Sequence, residues 1–157
     1  MDRWIFLITV KNRPGALAAI TALFAERGVS LDSVVAHDSG QTQDSFGVVT
    51  LTFRAGAARK ENLARLLARL AIVQGVREYR YDDEEHARKS AFARVALSAD
   101  DLVRALPPGV LCDIVSVTED ETLALLLGPP VLLDTALSEL ADRGLLRAMG
   151  ATVLVVP

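Results

Sequence analysis

The order in which strand-like and helix-like patterns follow one another constrains this 157-residue chain more than any other feature. In the first half, runs of β-branched and apolar residues alternate with segments whose leucines recur at helical spacing, which predicts the order βαββαβ. Two β-α-β crossovers in this order give an antiparallel four-stranded sheet with both helices on one face, the ferredoxin-like arrangement. The predicted strands cover residues 3–10, 30–37, 45–53 and 76–81; one predicted helix runs from Pro14 to just before Gly28 and the other over 58–72.

The second half of the chain follows the same order in a more degenerate form. Strand-like runs stand near 91–97, 110–118, 122–128 and 151–156; Ser98 and Asp101 open a short helix with a capping-box pattern, and a second helix follows Pro129. The charged run 82–90 separates the halves. The predicted organisation is a first domain over 1–82, a charged linker over 83–90 and a second domain over 91–157. The expected fold class is α+β, with two sequential ferredoxin-like βαββαβ units.

Composition excludes several classes of function. The formal net charge of -3 gives no electrostatic signature for nucleic acid, and 51% hydrophobic residues are enough for packed cores. A single cysteine, Cys112, permits no internal disulfide and favours a reducing compartment. No apolar run is long enough for a signal peptide or a membrane span, so the expected location is cytoplasmic. No paired nucleophile and base and no phosphate loop stand out, so we expect neither an enzyme nor a cofactor.

The turn Asn12-Arg13-Pro14-Gly15 is the strongest local signal in the chain. It lies where an apolar strand ends and a helix begins at once. A helix N-terminus offers free N–H groups and the positive end of a dipole, which suit a carboxylate, and Gly15 has no Cβ to hold a ligand away. Asn12 adds an amide that both donates and accepts. The same residues also suit a plain tight connection, and the sequence leaves both alternatives open.

Other candidates for chemistry are weaker. His37, Asp38 and Asp44 flank a polar turn, where solvated side chains are the favoured interpretation and a metal site is the alternative. His86 is expected to be exposed in the charged linker, and Cys112 to be a buried and inert thiol. No metal is predicted.

The stretch VKNRPGALAAITALFAERGVSLDSV, residues Val10–Val34, resembles the signature of the ACT domain, a small regulatory module with this element order. The resemblance covers about residues 3–82 and includes the Asn-x-Pro-Gly turn, the helical stripe from Leu17 to Phe24 and the Gly28 cap. Within the family, the chain is most similar to the small subunit of acetolactate synthase, in which an ACT domain precedes a second, diverged βαββαβ half. It departs from that subfamily at Arg13, where Glu is favoured, and at Ser30, where Asn is favoured.

The resemblance implies a ligand site and a homodimer. ACT domains pair through their second strands, here Ser30–His37, and bind amino acids at the seam. The implied ligand-binding residues are Asn12, Arg13, Gly15, Ala16 and Leu17 of one chain, with Ser30 and Leu31 of another. A strand with neither Pro nor Lys to protect its edge is expected to pair. One site per chain is expected, because residues 97–101 replace the Pro-Gly turn in the second half and carry acids.

The resemblance also implies a function. The expected protein is a non-catalytic regulator that binds a small amino acid and controls a separate catalytic subunit, as in branched-chain amino-acid biosynthesis. Two alternatives stay open: a free-standing tandem sensor acting on another enzyme or on gene expression, and a structural dimerisation module without a ligand.

Overall fold

The computed structural model describes residues 1–38 and 46–155. The polar connection predicted between the second and third strands therefore lies almost entirely outside the described residues, as does Asp44. The chain divides into two compact units, Met1–Tyr81 and Asp82–Pro157, and each is described by itself. Among the described residues, no helix has both the length and the apolar character needed to cross a bilayer.

The first unit has the predicted order βαββαβ. Its elements are β1 (Asp2–Lys11), α1 (Ala16–Glu26), β2 (Leu31–Asp38), β3 (Phe46–Ala55), α2 (Ala57–Leu67) and β4 (Val73–Arg80). The strands form one antiparallel sheet in the order β2-β3-β1-β4, so β1 is central and β2 lies at an edge, as predicted. Helix α2 is shorter than predicted, because Val73 already pairs with Val10 as the first residue of β4.

Three phenylalanines fix α1 against the first sheet. Phe6 of β1, Phe24 of α1 and Phe53 of β3 are fully buried and meet edge to face, with ring centroids 4.8 to 6.4 Å apart. Each such pair contributes about 0.5–1.5 kcal/mol beyond the burial of its area. The last turn of α1 is therefore fixed against the sheet, while the helix begins directly after the turn 12–15 that follows β1.

The second unit repeats the topology. Its elements are β5 (Ala87–Val95), α3 (Ala99–Ala105), β6 (Leu111–Val117), β7 (Thr122–Gly128), α4 (Pro130–Asp142) and β8 (Leu146–Val155), with strand order β6-β7-β5-β8. Small residues of the central strand, Ala91 and Ala93, share the core with Leu133 and Leu137 of α4. The predicted fold class, α+β with two ferredoxin-like units, is confirmed.

The predicted linker over 83–90 is wrong from Ala87 onward, because β5 begins there. Ala87 and Lys89 are buried, and the Lys89 ammonium pairs with the carboxylate of Asp134 on α4. The charged run is thus partly a strand in which buried and half-buried residues alternate. Charged side chains of this run, such as Lys89, form contacts within the second unit. They do not mark a solvated connection.

The remaining part of that run is an ordered turn. The backbone N–H groups of His86 and Glu85 donate to Asp83 Oδ1 over 3.0 and 3.1 Å. The hydrogen bond from the His86 N–H lowers the pKa of the Asp83 carboxyl, against the opposing effect of burial. His86 is half-buried and its Nδ1 lies 3.2 Å from Asp83 Oδ1, so the expectation of an exposed histidine is wrong.

Candidate functional site

A cavity of about 720 Å³ opens in the first unit, at the end where α1 begins and where β1 and β2 finish. All five residues predicted for the near side of the ligand site line it: Asn12, Arg13, Gly15, Ala16 and Leu17. Leu17 was expected on the buried stripe of α1, but its side chain is 41% exposed. It belongs to the cavity wall because the helix turns that position away from the sheet.

The connection from β1 to α1 is a type II turn. Gly15 has φ 86° and ψ -8°, and the N–H of Ala16 donates to the carbonyl of Arg13 over 3.1 Å. These are the dihedral angles of the third residue of such a turn, a position that needs glycine and takes proline just before it. A Cβ at Gly15 would meet nothing within 4 Å, so the glycine is required by its backbone conformation and leaves open space above it.

The start of α1 is left without a cap. The N-cap residue, Gly15, has no side chain that could accept from the helix N–H groups, and the first turn contains no acidic residue. Within residues 1–38 and 46–155, no acceptor receives the N–H groups of Leu17 and Ala18, whereas the N–H of Ala16 is used by the turn. Two N–H groups and the positive end of the helix dipole thus border the cavity, an arrangement suited to a carboxylate.

The far wall of the cavity is mainly aliphatic. It comes from the second half of β2, the start of β3 and the first two turns of α1, through Ala18, Thr21, Val34, Ala36, Val48 and Val49. The Thr21 hydroxyl donates to helix carbonyls of Leu17 and Ala18, at 3.0 and 3.2 Å. Sequence analysis missed these residues. Topology could have indicated them, because β1 and β2 are parallel in this fold and therefore finish beside the same helix start.

Charged and polar groups stand at the rim. Arg13 and the pair His37 and Asp38 line the cavity and are exposed. Of the three residues weighed as a metal site, His37 and Asp38 are thus at this rim, and Asp44 lies outside the described residues. The cavity therefore combines an aliphatic wall, backbone donors and rim charges of both signs.

Ser30 and Leu31 lie at the other end of β2. Ser30 is exposed, and Leu31 packs against the core of its own unit. A single chain does not bring them to the cavity. Their predicted role belongs to a second copy and stays a prediction.

In the described part of the second unit, the first helix begins differently. Ser98 caps α3 by accepting from the N–H of Asp101 over 3.2 Å, and Asp100 and Asp101 occupy the first turn. One of the free N–H groups there is already used by the cap, and the local charge is negative. Cys112 on β6 is half-buried, and burial, together with the charge of Asp113, raises the pKa of its thiol.

Comparison with known proteins gives one family and several structures. The model of the ACT domain matches residues 4–71. The crystal structure of the acetolactate synthase small subunit from Thermotoga maritima is similar over 99% of this chain and 97% of that one, with a TM-score of 0.75 and 16% identity. The ligand-free regulatory subunit of aspartate kinase from Thermus thermophilus aligns with 90% of this chain over 91% of its own length. The TM-score is 0.48 and the sequence identity is 18%. No curated protein matches the sequence.

Proposed function

Residues 4–71 are an ACT domain, and from this premise we propose that the protein is a non-catalytic regulator whose first unit binds a small amino acid. The observation that carries the proposal is the cavity at the start of α1, which brings together five residues selected from the sequence alone. The Thermotoga maritima protein of the same fold is a small subunit of an enzyme, which supports a regulatory role.

The chemistry of the cavity fits an amino acid in a definite orientation. The ligand carboxylate lies against the N–H groups of Leu17 and Ala18, where the helix dipole favours negative charge. The ligand side chain faces the aliphatic wall that includes Val34 and Ala36. We expect affinities in the micromolar to millimolar range, about -4 to -8 kcal/mol.

Calorimetric titration with a panel of amino acids tests this proposal, using two aspartate variants of one helix. Ala18 lines the cavity and Ala19 does not, although both are exposed in the first turns of α1. Ala18→Asp places a carboxylate where the ligand carboxylate would bind and should weaken binding about tenfold or more. The same charge also stabilises a helix start by about 0.3–1 kcal/mol, so lost binding would not reflect unfolding.

Ala19→Asp is the matched control and should bind like the unaltered protein. Equal affinity in both variants would place the ligand elsewhere. If the unaltered protein binds no amino acid of the panel, the structural dimerisation module becomes the favoured function.

We further propose that a second copy completes the site by pairing along β2. The strand is bonded to β3 on one side only, and no described strand pairs with its other edge. Antiparallel pairing of two copies of Leu31–Asp38 about a central two-fold axis would set Ser30 and Leu31 of the second copy near His37 and Asp38. Those two residues line the cavity, so both chains would contact the ligand.

The regulated partner is proposed to be the catalytic subunit of an amino-acid biosynthetic enzyme, with acetolactate synthase first. This proposal is supported by the fold, which this chain shares over 99% of its length with the acetolactate synthase small subunit from Thermotoga maritima. The test measures the reaction rate of the thiamine-diphosphate-dependent catalytic subunit from the same source. The rate is compared with and without this protein, and with valine, leucine or isoleucine added. A ligand coupling of about 1–3 kcal/mol would change the activity about 5- to 150-fold. Amino-acid binding without co-elution or any rate change would instead favour the free-standing sensor.

A further inference from the structure

Gly47 ends a row of large side chains on β3. Because side chains alternate along a strand, every second residue of β3 faces the helices. From the core toward the cavity, this row consists of Phe53, Leu51, Val49 and Gly47. The first three are buried core residues, and Gly47 lines the cavity. The row of side chains therefore stops where the cavity opens.

The backbone does not require a glycine at this position. Gly47 pairs with Val10 on one side and Asp38 on the other, and its φ is not positive. Among the described residues, a Cβ there would meet only the His37 carbonyl oxygen and Val10 Cγ2, each at the ordinary contact distance of 3.5 Å. Strand glycines often mark a bulge or the close approach of a ligand, and neither strand pair shifts register at Gly47. The close approach of a ligand is therefore the favoured reason.

The second unit shows what a side chain does at the corresponding position. Thr122 of β7 lies opposite Val95, the last residue of the central strand β5. In the first unit, Gly47 lies opposite Val10, near the end of the central strand β1. Thr122 is fully buried, and its hydroxyl donates to the carbonyl of Leu97 over 2.7 Å, just before the N-cap of α3. A side chain at this position thus fills the space between the end of the sheet and the start of the helix.

We propose that Gly47 selects the ligand by the size of its side chain, an inference that rests on the proposed amino-acid site. Gly47 lines the cavity together with Val10 and Val49, and we call this part of the wall the floor. With the ligand carboxylate at the N–H groups of Leu17 and Ala18, the ligand side chain extends toward the floor. A longer aliphatic chain buries more apolar surface there. The ligand is therefore an amino acid such as leucine or isoleucine, in preference to alanine or glycine.

Calorimetric titration with leucine and with alanine tests the proposal, because the ratio of the two affinities is unaffected by losses common to both ligands. Gly47→Ala adds one methyl group to the floor and should lower the affinity for leucine about tenfold relative to that for alanine. Gly75→Ala on β4 is the control, since Gly75 does not line the cavity and its Cβ would meet no described atom within 4 Å. It should leave the ratio unchanged.

The titration separates this proposal from the proposed function. An unchanged ratio in Gly47→Ala, or an equal fall for both ligands, would overturn the role of Gly47 and leave the amino-acid site standing. A preference of the unaltered protein for alanine over leucine would overturn that role too. If the unaltered protein binds no amino acid at all, the proposed function itself fails.

Gly47→Thr gives a second test, because it copies the residue type that the second unit has at the corresponding position. This variant should bind no amino acid. Its midpoint of urea denaturation should not fall below that of the unaltered protein, since threonine favours a strand more than glycine does. Amino-acid binding retained by Gly47→Thr would show that the ligand does not reach the floor. A lower midpoint would show that no open space faces Gly47, and either result would overturn the proposal.

Discussion

Gly15 shows how a single residue sets the geometry of the candidate site. Its left-handed conformation closes the turn from β1 into α1, directs the Ala16 N–H back to Arg13 and leaves the next two N–H groups of the helix at the cavity. A residue with a Cβ pays about 1–2 kcal/mol to adopt this conformation. The glycine therefore contributes to stability and to the cavity at the same time.

We expect Gly15→Ala to lower the free energy of unfolding by about 1–2 kcal/mol, measured by urea denaturation. Gly56→Ala is the control, because Gly56 also precedes a helix but has φ -73°, which alanine adopts readily. That variant should stay within about 0.5 kcal/mol of the unaltered protein. An equal loss in both variants would mean that the backbone conformation of Gly15 is not the cause.

The types of residue in the sequence predicted the side of the site at the start of α1. They did not predict the side formed by β2. The Pro-Gly turn is a local signal, so Asn12 to Leu17 could be selected from the sequence. Val34 and Ala36 are ordinary strand residues whose position at the cavity follows from the parallel course of β1 and β2. Lys89 was misread for a related reason, since its burial depends on a partner 45 positions away, Asp134.

At the scale of elements, the edge strand β2 is the feature on which assembly of the first unit depends. Val35 pairs with Thr50 and is half-buried near the middle of the strand. In an antiparallel two-fold pair, the middle of one β2 strand lies against the middle of the other. Charges introduced at Val35 therefore approach each other across the seam.

Val35→Lys and Val35→Glu should each weaken the dimer by about 1 kcal/mol or more, roughly fivefold, because like charges would oppose one another. A mixture of the two variants should recover a heterodimer, seen by native mass spectrometry. Gln74→Lys on β4, the opposite edge strand, is the control and should leave the dimer intact. No loss in the single variants and no preference in the mixture would show that the copies pair elsewhere.

The order of the helices and strands could be predicted because each type has its own spacing of hydrophobic residues. The residues at which the elements begin and end could not be predicted in this way. Alternation and leucine spacing predicted both βαββαβ units. The end of α2 and the start of β5 were missed, since each is decided by pairing with a distant strand: Val73 with Val10, and Ala87 with Val155. Charge alone was a poor guide to a boundary, because the turn at Asp83 and the strand from Ala87 both use charged residues.

At the scale of the whole molecule, the two units share a topology and differ in their surfaces. The first unit has a helix start without a side-chain cap beside a large cavity, whereas Ser98 caps the first helix of the second unit. This contrast supports the proposal that the first unit, and not the second, binds the amino acid. A ligand that contacts two chains can then shift the assembly only by its difference in affinity between arrangements.

The most direct test of the central claim is a nuclear magnetic resonance titration of the backbone amides with an amino acid that binds. The account predicts saturable shifts of the Leu17 and Ala18 amide signals, with smaller changes at Val34 and Ala36 and none at the helix start of α3. Ala18→Asp should abolish these shifts, and Ala19→Asp should keep them. Saturable binding that leaves the signals of Leu17 and Ala18 unmoved would contradict the assignment of the cavity as the amino-acid site.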